Sequence, residues 1–181
     1  MTRQHKLVDL EIEQQINTEI VGCIYKGVVK NIVPAVDGIF VDIGIGKNAF
    51  LRRKDLLNEK RFPTEGSPIL AQVIKSDTDM KGALITEKIS MFGKYAVTLS
   101  GTGYIGVSKK IRQESVRKRL KEIGKEICAE HMGLIIRTAA ENADMDEFRK
   151  DITRLKENWD IIQKRFRMEK SPTLLYRESD I

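Results

Sequence analysis

The hydrophobic period changes once along this chain, and that change limits the folds open to it. Before Val107 the apolar residues come in short, β-branched runs broken by Gly, Pro, Asn and Asp; beyond it they recur mainly at spacings of three or four. Val8, Leu10 and Ile12 alternate with Asp9, Glu11 and Glu13, the period of a half-buried strand. Residues 20–33 are β-branched and long, with Gly22 and Gly27 as places to bend or bulge. Pro34-Ala35-Val36-Asp37-Gly38 is a turn, and 39–43 and 69–75 are further strands, separated by the loop 58–68 with Pro63 and Gly66. A last strand is expected over 82–90. Short strands joined by turn signals predict a small barrel rather than a βαβ sheet.

Past Val107, residues 114–125 predict a charged helix that stops near Gly124, and 133–138 an apolar strand ending in two polar residues. Met145, Phe148, Ile152, Leu155, Trp159, Ile162 and Phe166 then line one face of a long helix, which makes them core and removes Trp159 as a base-stacking candidate. Asp144 is the expected N-cap, with Glu147 completing a capping box, and Ser171-Pro172 the stop. The apolar run Thr173-Leu174-Leu175-Tyr176 near one end, and the strand entered almost at once at the other, suggest a piece of something larger.

At 181 residues the chain has room for one domain or two small ones, and 41% hydrophobic content excludes wholesale disorder. No apolar run reaches the roughly 18–20 residues of a membrane span, and the start lacks the apolar core of a signal peptide. Cys23 and Cys128 stand far apart with no CxxC or Cys/His cluster, which argues against disulfides and structural zinc and for a cytoplasmic protein. The formal charge is +6, most of it contributed by residues 108–170. Between 47 and 61 stand Lys47, Arg52, Arg53, Lys54, Lys60 and Arg61 against Asp55 and Glu59. Such a stretch beside aromatics is either the footprint of a polyanion binder or simply a solvated surface.

A Greek-key barrel of five strands binds single-stranded nucleic acid by stacking bases on rings and neutralising phosphates with lysines. Tyr25, Lys26, Phe40, Phe50 and Lys47 supply those residue types, although Phe40 and Phe50 equally suit a barrel core.

Three runs make the sequence recognisable: Ile24-Tyr25-Lys26-Gly27-Val28-Val29, then 35–44 (Ala-Val-Asp-Gly-Ile-Phe-Val-Asp-Ile-Gly), then Asn48-Ala49-Phe50-Leu51. They resemble the ribonuclease E/G family, in which such a stretch is an RNA-binding domain of the ribosomal S1 type, an OB fold. The likeness continues in family order through 81–86, 106–111 and 133–140, and Ile43 with Arg137-Thr138-Ala139-Ala140 looks closer to the G branch than to the E branch. The resemblance implies an α+β chain: residues 1–24 a remnant of a split ribonuclease-H-like domain, 25–87 the barrel, and 88–181 an α+β domain that senses RNA 5′ ends.

By the same resemblance Tyr25, Lys26, Phe40, Phe50 and Lys81 contact RNA, and Gly93, Val97, Arg137 and Thr138 form the pocket for a 5′ monophosphate. A guanidinium fork pairs with phosphate oxygens, a hydroxyl adds a directional bond, and a glycine lets backbone N–H approach closely. The expected partner is single-stranded RNA, preferably 5′-monophosphorylated. The family's magnesium-binding carboxylates and its CxxC zinc link are expected beyond Ile181, and two strands before Lys6. Asp77, Asp79, Asp144 and Asp146 read as turn and cap residues, and His5 and His131 lack a nucleophile, so no catalytic residue, metal or cofactor is assigned. The expected role is RNA binding and end recognition without cleavage. The alternative is a stand-alone RNA-binding module without end preference; a weaker one is cleavage through unforeseen carboxylates.

Overall fold

A computed structural model describes residues 20–60, 62–78, 80–128 and 132–177. The strand expected at Val8–Ile12 and the remnant up to residue 19 lie outside them, as do Asp79, His5, His131 and Arg61. The described residues form two compact units: 20–87 together with 169–177, and Lys88–Met168.

The first unit contains β1 (Ile24–Val33), β2 (Gly38–Asp42), β3 (Ala49–Arg52), β4 (Pro68–Lys75), β5 (Leu84–Thr86) and β10 (Thr173–Tyr176). Hydrogen bonding runs β1-β2-β3-β5-β4 and returns to β1, closing a five-stranded barrel of the OB type. Ile39 and Val41 on β2, and Ala49 and Leu51 on β3, are fully buried, while Phe40, Asp42, Phe50 and Arg52 face outward between them. That alternation is what a strand with one wet face requires. β1 shows none at its start: Ile24, Tyr25, Lys26 and Gly27 are all buried, because β4 pairs along one edge and β10 along the other. Gly27 lies inside one continuous strand. Its missing side chain lets Val41 pack inward, since a Cβ there would stand 2.5 Å from Val41 Cγ1.

The structure departs from the expected boundaries in three places. Cys23 and Ile24 belong to the barrel, Cys23 as a member of its apolar core. Residues 82–90 are not one strand but β5 and, in the second unit, the start of β6. The segment from Glu169 on, assigned from sequence to the second domain, packs with the barrel: β10 pairs antiparallel with β1, Leu174 opposite Tyr25, and buries Leu175.

The second unit is α+β. β6 (Ser90–Phe92), β7 (Ala96–Ser100), β8 (Ile105–Val107) and β9 (Met132–Ile136) form a sheet ordered β6-β7-β9-β8, against which α1 (Glu114–Ile127) and α2 (Met145–Met168) pack. Met91, Ile105, Met132, Leu134 and Ile136 on the sheet and Leu120, Ile123, Phe148, Ile152 and Leu155 on the helices are buried and form its core. Gly124 does not end α1. The helix runs on to Ile127, and Gly124 packs closely on the sheet, where a Cβ would lie 3.2 Å from Ile105 and 3.3 Å from Leu134. Asp144 caps α2 as expected, its Oδ1 accepting the Asp146 and Glu147 N–H groups at 2.9 and 3.1 Å. Glu147 does not close the capping box; its carboxylate accepts from Tyr95 Oη at 2.5 Å and Lys94 Nζ at 3.2 Å instead.

Candidate nucleic-acid interface

On the barrel, Phe40 and Phe50 stand directly opposite each other across β2 and β3, both on the outer face. Their ring centroids are 5.4 Å apart and their planes tilted by 51°, so they form one aromatic corner rather than two parallel platforms. The Phe50 ring lies on Gly38, where a Cβ would collide with Cε2 and Cζ, which explains glycine at that strand position. Beside this corner the loops 44–48 and 76–82 meet: Lys47 Nζ donates to the Thr78 carbonyl at 2.9 Å, and Lys81 closes a turn on Thr78 with its side chain exposed. Phe50 N–H donates to the Ala83 carbonyl at 2.7 Å, tying the Lys81 loop to the ring-bearing strand.

Tyr25 and Lys26 do not join this face. Tyr25 is 5% exposed within the barrel core, and burial pushes its phenol above the ordinary range. Lys26 is 9% exposed and its ammonium donates to the Glu169 carbonyl at 2.6 Å. Both are consumed by the pairing of β10 with β1, which nothing local announces. The basic run 47–61 is likewise less open than its composition: Arg52 Nε sits 2.5 Å from Asp55, and Arg53 donates to the Glu59 carbonyl at 2.8 Å and lies 4.7 Å from the Phe62 ring centre.

In the second unit the β6–β7 hairpin, the end of β9 and the start of β8's following loop come together. Arg137 Nη1 donates to the Gly93 carbonyl at 2.9 Å, and Arg137 N–H donates to the Tyr95 carbonyl at 2.8 Å. Arg137 is exposed and has no carboxylate partner among the described residues, and the Gly93 carbonyl takes one of its five guanidinium donors. Thr138 Oγ1 lies 3.1 Å from Ser108 Oγ, and half-buried Val97 pairs with Ile135 across the sheet. All four residues expected at the 5′-end pocket therefore occupy one small region.

Gly93 acts there differently from the expectation. Its N–H is spent on the Ala96 carbonyl at 2.8 Å, so it offers no amide to a ligand; its carbonyl instead steers Arg137. A Cβ at Gly93 would stand 2.5 Å from Asp151 Oδ2. That buried carboxylate accepts the Tyr95 N–H at 2.8 Å and the Lys94 N–H at 3.2 Å, and it pairs with Arg154 at 3.2 Å. Asp151 thus fixes the hairpin that aims Arg137. Sequence reasoning missed it and Ser108. An acid between Phe148 and Ile152 in an apolar stripe was the available signal.

Among the described residues no group of three His, Cys, Asp or Glu is placed to hold a metal, and no helix is long and apolar enough to cross a membrane.

A closed OB barrel with an outward aromatic corner and flanking lysines defines a nucleic-acid-binding protein, and residues 19–86 match the S1 RNA binding domain. Residues 90–181 match the ribonuclease E/G family, and the chain belongs to that family. It is 35% identical to ribonuclease G of Escherichia coli strain K12 over 95% of its own length and 39% of that relative's. To ribonuclease G of Haemophilus influenzae it is 36% identical, over 84% of this chain and 35% of the relative. To ribonuclease E of Synechocystis it is 33% identical, over 94% and 27%. The chain thus spans well under half the length of the curated relatives it matches.

Proposed function

We propose that this stretch of chain holds single-stranded RNA on the barrel and recognises a 5′ monophosphate in the second unit, as the N-terminal part of a cytoplasmic endoribonuclease of the ribonuclease E/G type that acts in RNA processing and decay. The observation that carries the reading is Arg137: exposed, without a counter-ion among the described residues, and aimed by the Gly93 carbonyl beside the Thr138–Ser108 hydroxyl pair. A fixed guanidinium pairs bidentately with phosphate oxygens, and the hydroxyls add direction. Phe40 and Phe50 take bases and Lys81 a phosphate on the barrel. The magnesium chemistry of such an endoribonuclease finds no fitting ligand group among the described residues, so no cleavage step is assigned to them.

The test is a titration of the chain with a short unstructured RNA bearing a 5′ monophosphate or a 5′ hydroxyl, with magnesium present and the RNA checked for cleavage afterwards. Tighter binding of the monophosphate is expected. Arg137→Ala should weaken that complex about tenfold or more, the scale of a hydrogen bond to a charged group, while sparing the hydroxyl RNA. Arg137→Lys should restore only part, because a point charge replaces a fork. Equal binding of both RNAs by the unaltered chain would leave an RNA-binding module without end preference, and cleaved RNA would refute the reading of binding without cleavage.

A further inference from the structure

The sheet of the second unit ends at β8, and between that edge strand and the first half of α1 lies an open groove of about 280 Å³. Its size is near the lower end of ligand clefts, roughly 300 Å³. Its walls carry Tyr104, Lys109, Lys118 and Lys121. Tyr104 is 63% exposed, and its ring rests on Gly106, where a Cβ would stand 2.7 Å from Cε1. This is the same ring-on-glycine arrangement that holds Phe50 over Gly38 on the barrel. At both positions the first atoms a Cβ would meet belong to an aromatic ring.

The charge of the groove is one-sided. Its one acid, Glu114, is 3.7 Å from Arg117, and Arg117 is already held by the Ser108 and Ile111 carbonyls at 2.8 and 2.9 Å. The ammonium groups of Lys109, Lys118 and Lys121 form no ion pair or hydrogen bond among the described residues. Three unneutralised cations around an exposed, backed ring match the two faces of a nucleotide: phosphate on the cations, base on the π-face.

We propose that the groove between β8 and α1 holds one nucleotide of a single-stranded RNA, with its base on Tyr104 and its phosphate among Lys109, Lys118 and Lys121. The proposal rests on the reading that the chain binds RNA but not on recognition of the 5′ end. Ser108 belongs to both neighbourhoods, its carbonyl accepting from Arg117 and its hydroxyl meeting Thr138, so the groove adjoins the Arg137 region.

The experiment uses the same chain and the same pair of short RNAs, one 5′-hydroxylated and one 5′-monophosphorylated. Tyr104→Ala is expected to weaken both complexes alike, by about fivefold or more, the scale of one base–aromatic stack. Tyr104→Phe keeps the ring and is expected to bind as the unaltered chain does. Lys118→Ala combined with Lys121→Ala should flatten the dependence of log K on log salt by about 0.7 for each phosphate left unneutralised. Thermal melting of each variant checks that the fold survives. Unchanged binding by a folded Tyr104→Ala overturns the proposal. So does an equal loss in Tyr104→Phe, or a loss confined to the monophosphate RNA, which would assign Tyr104 to the end pocket. An unaltered chain that binds neither RNA overturns this proposal together with the RNA-binding reading. Normal binding of the hydroxyl RNA with no monophosphate preference overturns only the end-sensing reading.

Discussion

The two units each place a glycine under a functional group, but with opposite consequences. In the barrel Gly38 supports Phe50, a ring on the outer face whose neighbours in the core, Ile39 and Leu51, pack without it. In the second unit Gly93 makes room for Asp151, a carboxylate buried against the hairpin whose carbonyl aims Arg137. The barrel site is laid on a finished core; the Arg137 site is wired into one. A side chain removed from the first should cost binding, whereas one removed from beneath the second should cost stability and binding together.

The largest effect is expected at Asp151. Asp151→Ala leaves the Tyr95 and Lys94 N–H groups without their acceptor and should destabilise the second unit by about 3 kcal/mol, lowering its melting temperature. Discrimination between RNA 5′ ends should vanish with it. Asp151→Asn retains one acceptor oxygen and should lose less. Should Asp151→Ala melt with the unaltered chain, the wiring described above does not hold the hairpin.

Next comes Phe50→Ala, whose half-exposed ring gives up about 1 kcal/mol of burial. Its RNA affinity should nonetheless fall about fivefold or more whatever the 5′ end, measured by anisotropy at fixed salt. A melting temperature that drops as far as for Asp151→Ala would erase the contrast between the units.

The smallest effect concerns Glu147. Its hydrogen bonds from Tyr95 and then Lys94 hold its carboxyl below the ordinary carboxylate range. A folded-state pKa below the unfolded one contributes stability that is present above the unfolded value, about 4.3, and is lost as pH falls through the folded one. The small melting difference between the unaltered chain and Glu147→Gln should therefore be visible at pH 7 and close on acidification. A difference that grows below about pH 4 would contradict the pairing.

The legibility of these features in the sequence follows their range. The closed barrel, the long amphipathic α2 and its Asp144 cap rest on local periodicity and local hydrogen bonds, and those were readable. The sequence left Phe40 and Phe50 open between the barrel core and its outer face; the pairing of β2 with β3 puts both on the outer face, with Ile39, Val41, Ala49 and Leu51 buried. The burial of Tyr25 and Lys26 was not legible, because β1 is covered on two edges there, which removes the alternation that marks an outer face. Gly124 read as a stop by its propensity, yet the close approach of Ile105 and Leu134 requires it inside the helix. The partners of Asp151 lie 56 and 57 positions away, beyond any local pattern.

The return of β10 to β1 has a consequence for how the molecule comes into being. Lys26 and the Glu169 carbonyl that receives its hydrogen bond are 143 positions apart, with all of residues 88–168 between them. At a synthesis rate of about 5–20 residues per second, the nascent β1 waits roughly 7–30 s for this partner strand to be made. The five barrel strands are all present by residue 86, so the barrel can close early on the ribosome, while its last seam is sewn only after the inserted unit has emerged. Between those moments the inserted unit hangs from one end. Once β10 docks, its chain is held at both, and the loss of that seam rather than of the barrel's own strands is the first opening expected in hydrogen exchange.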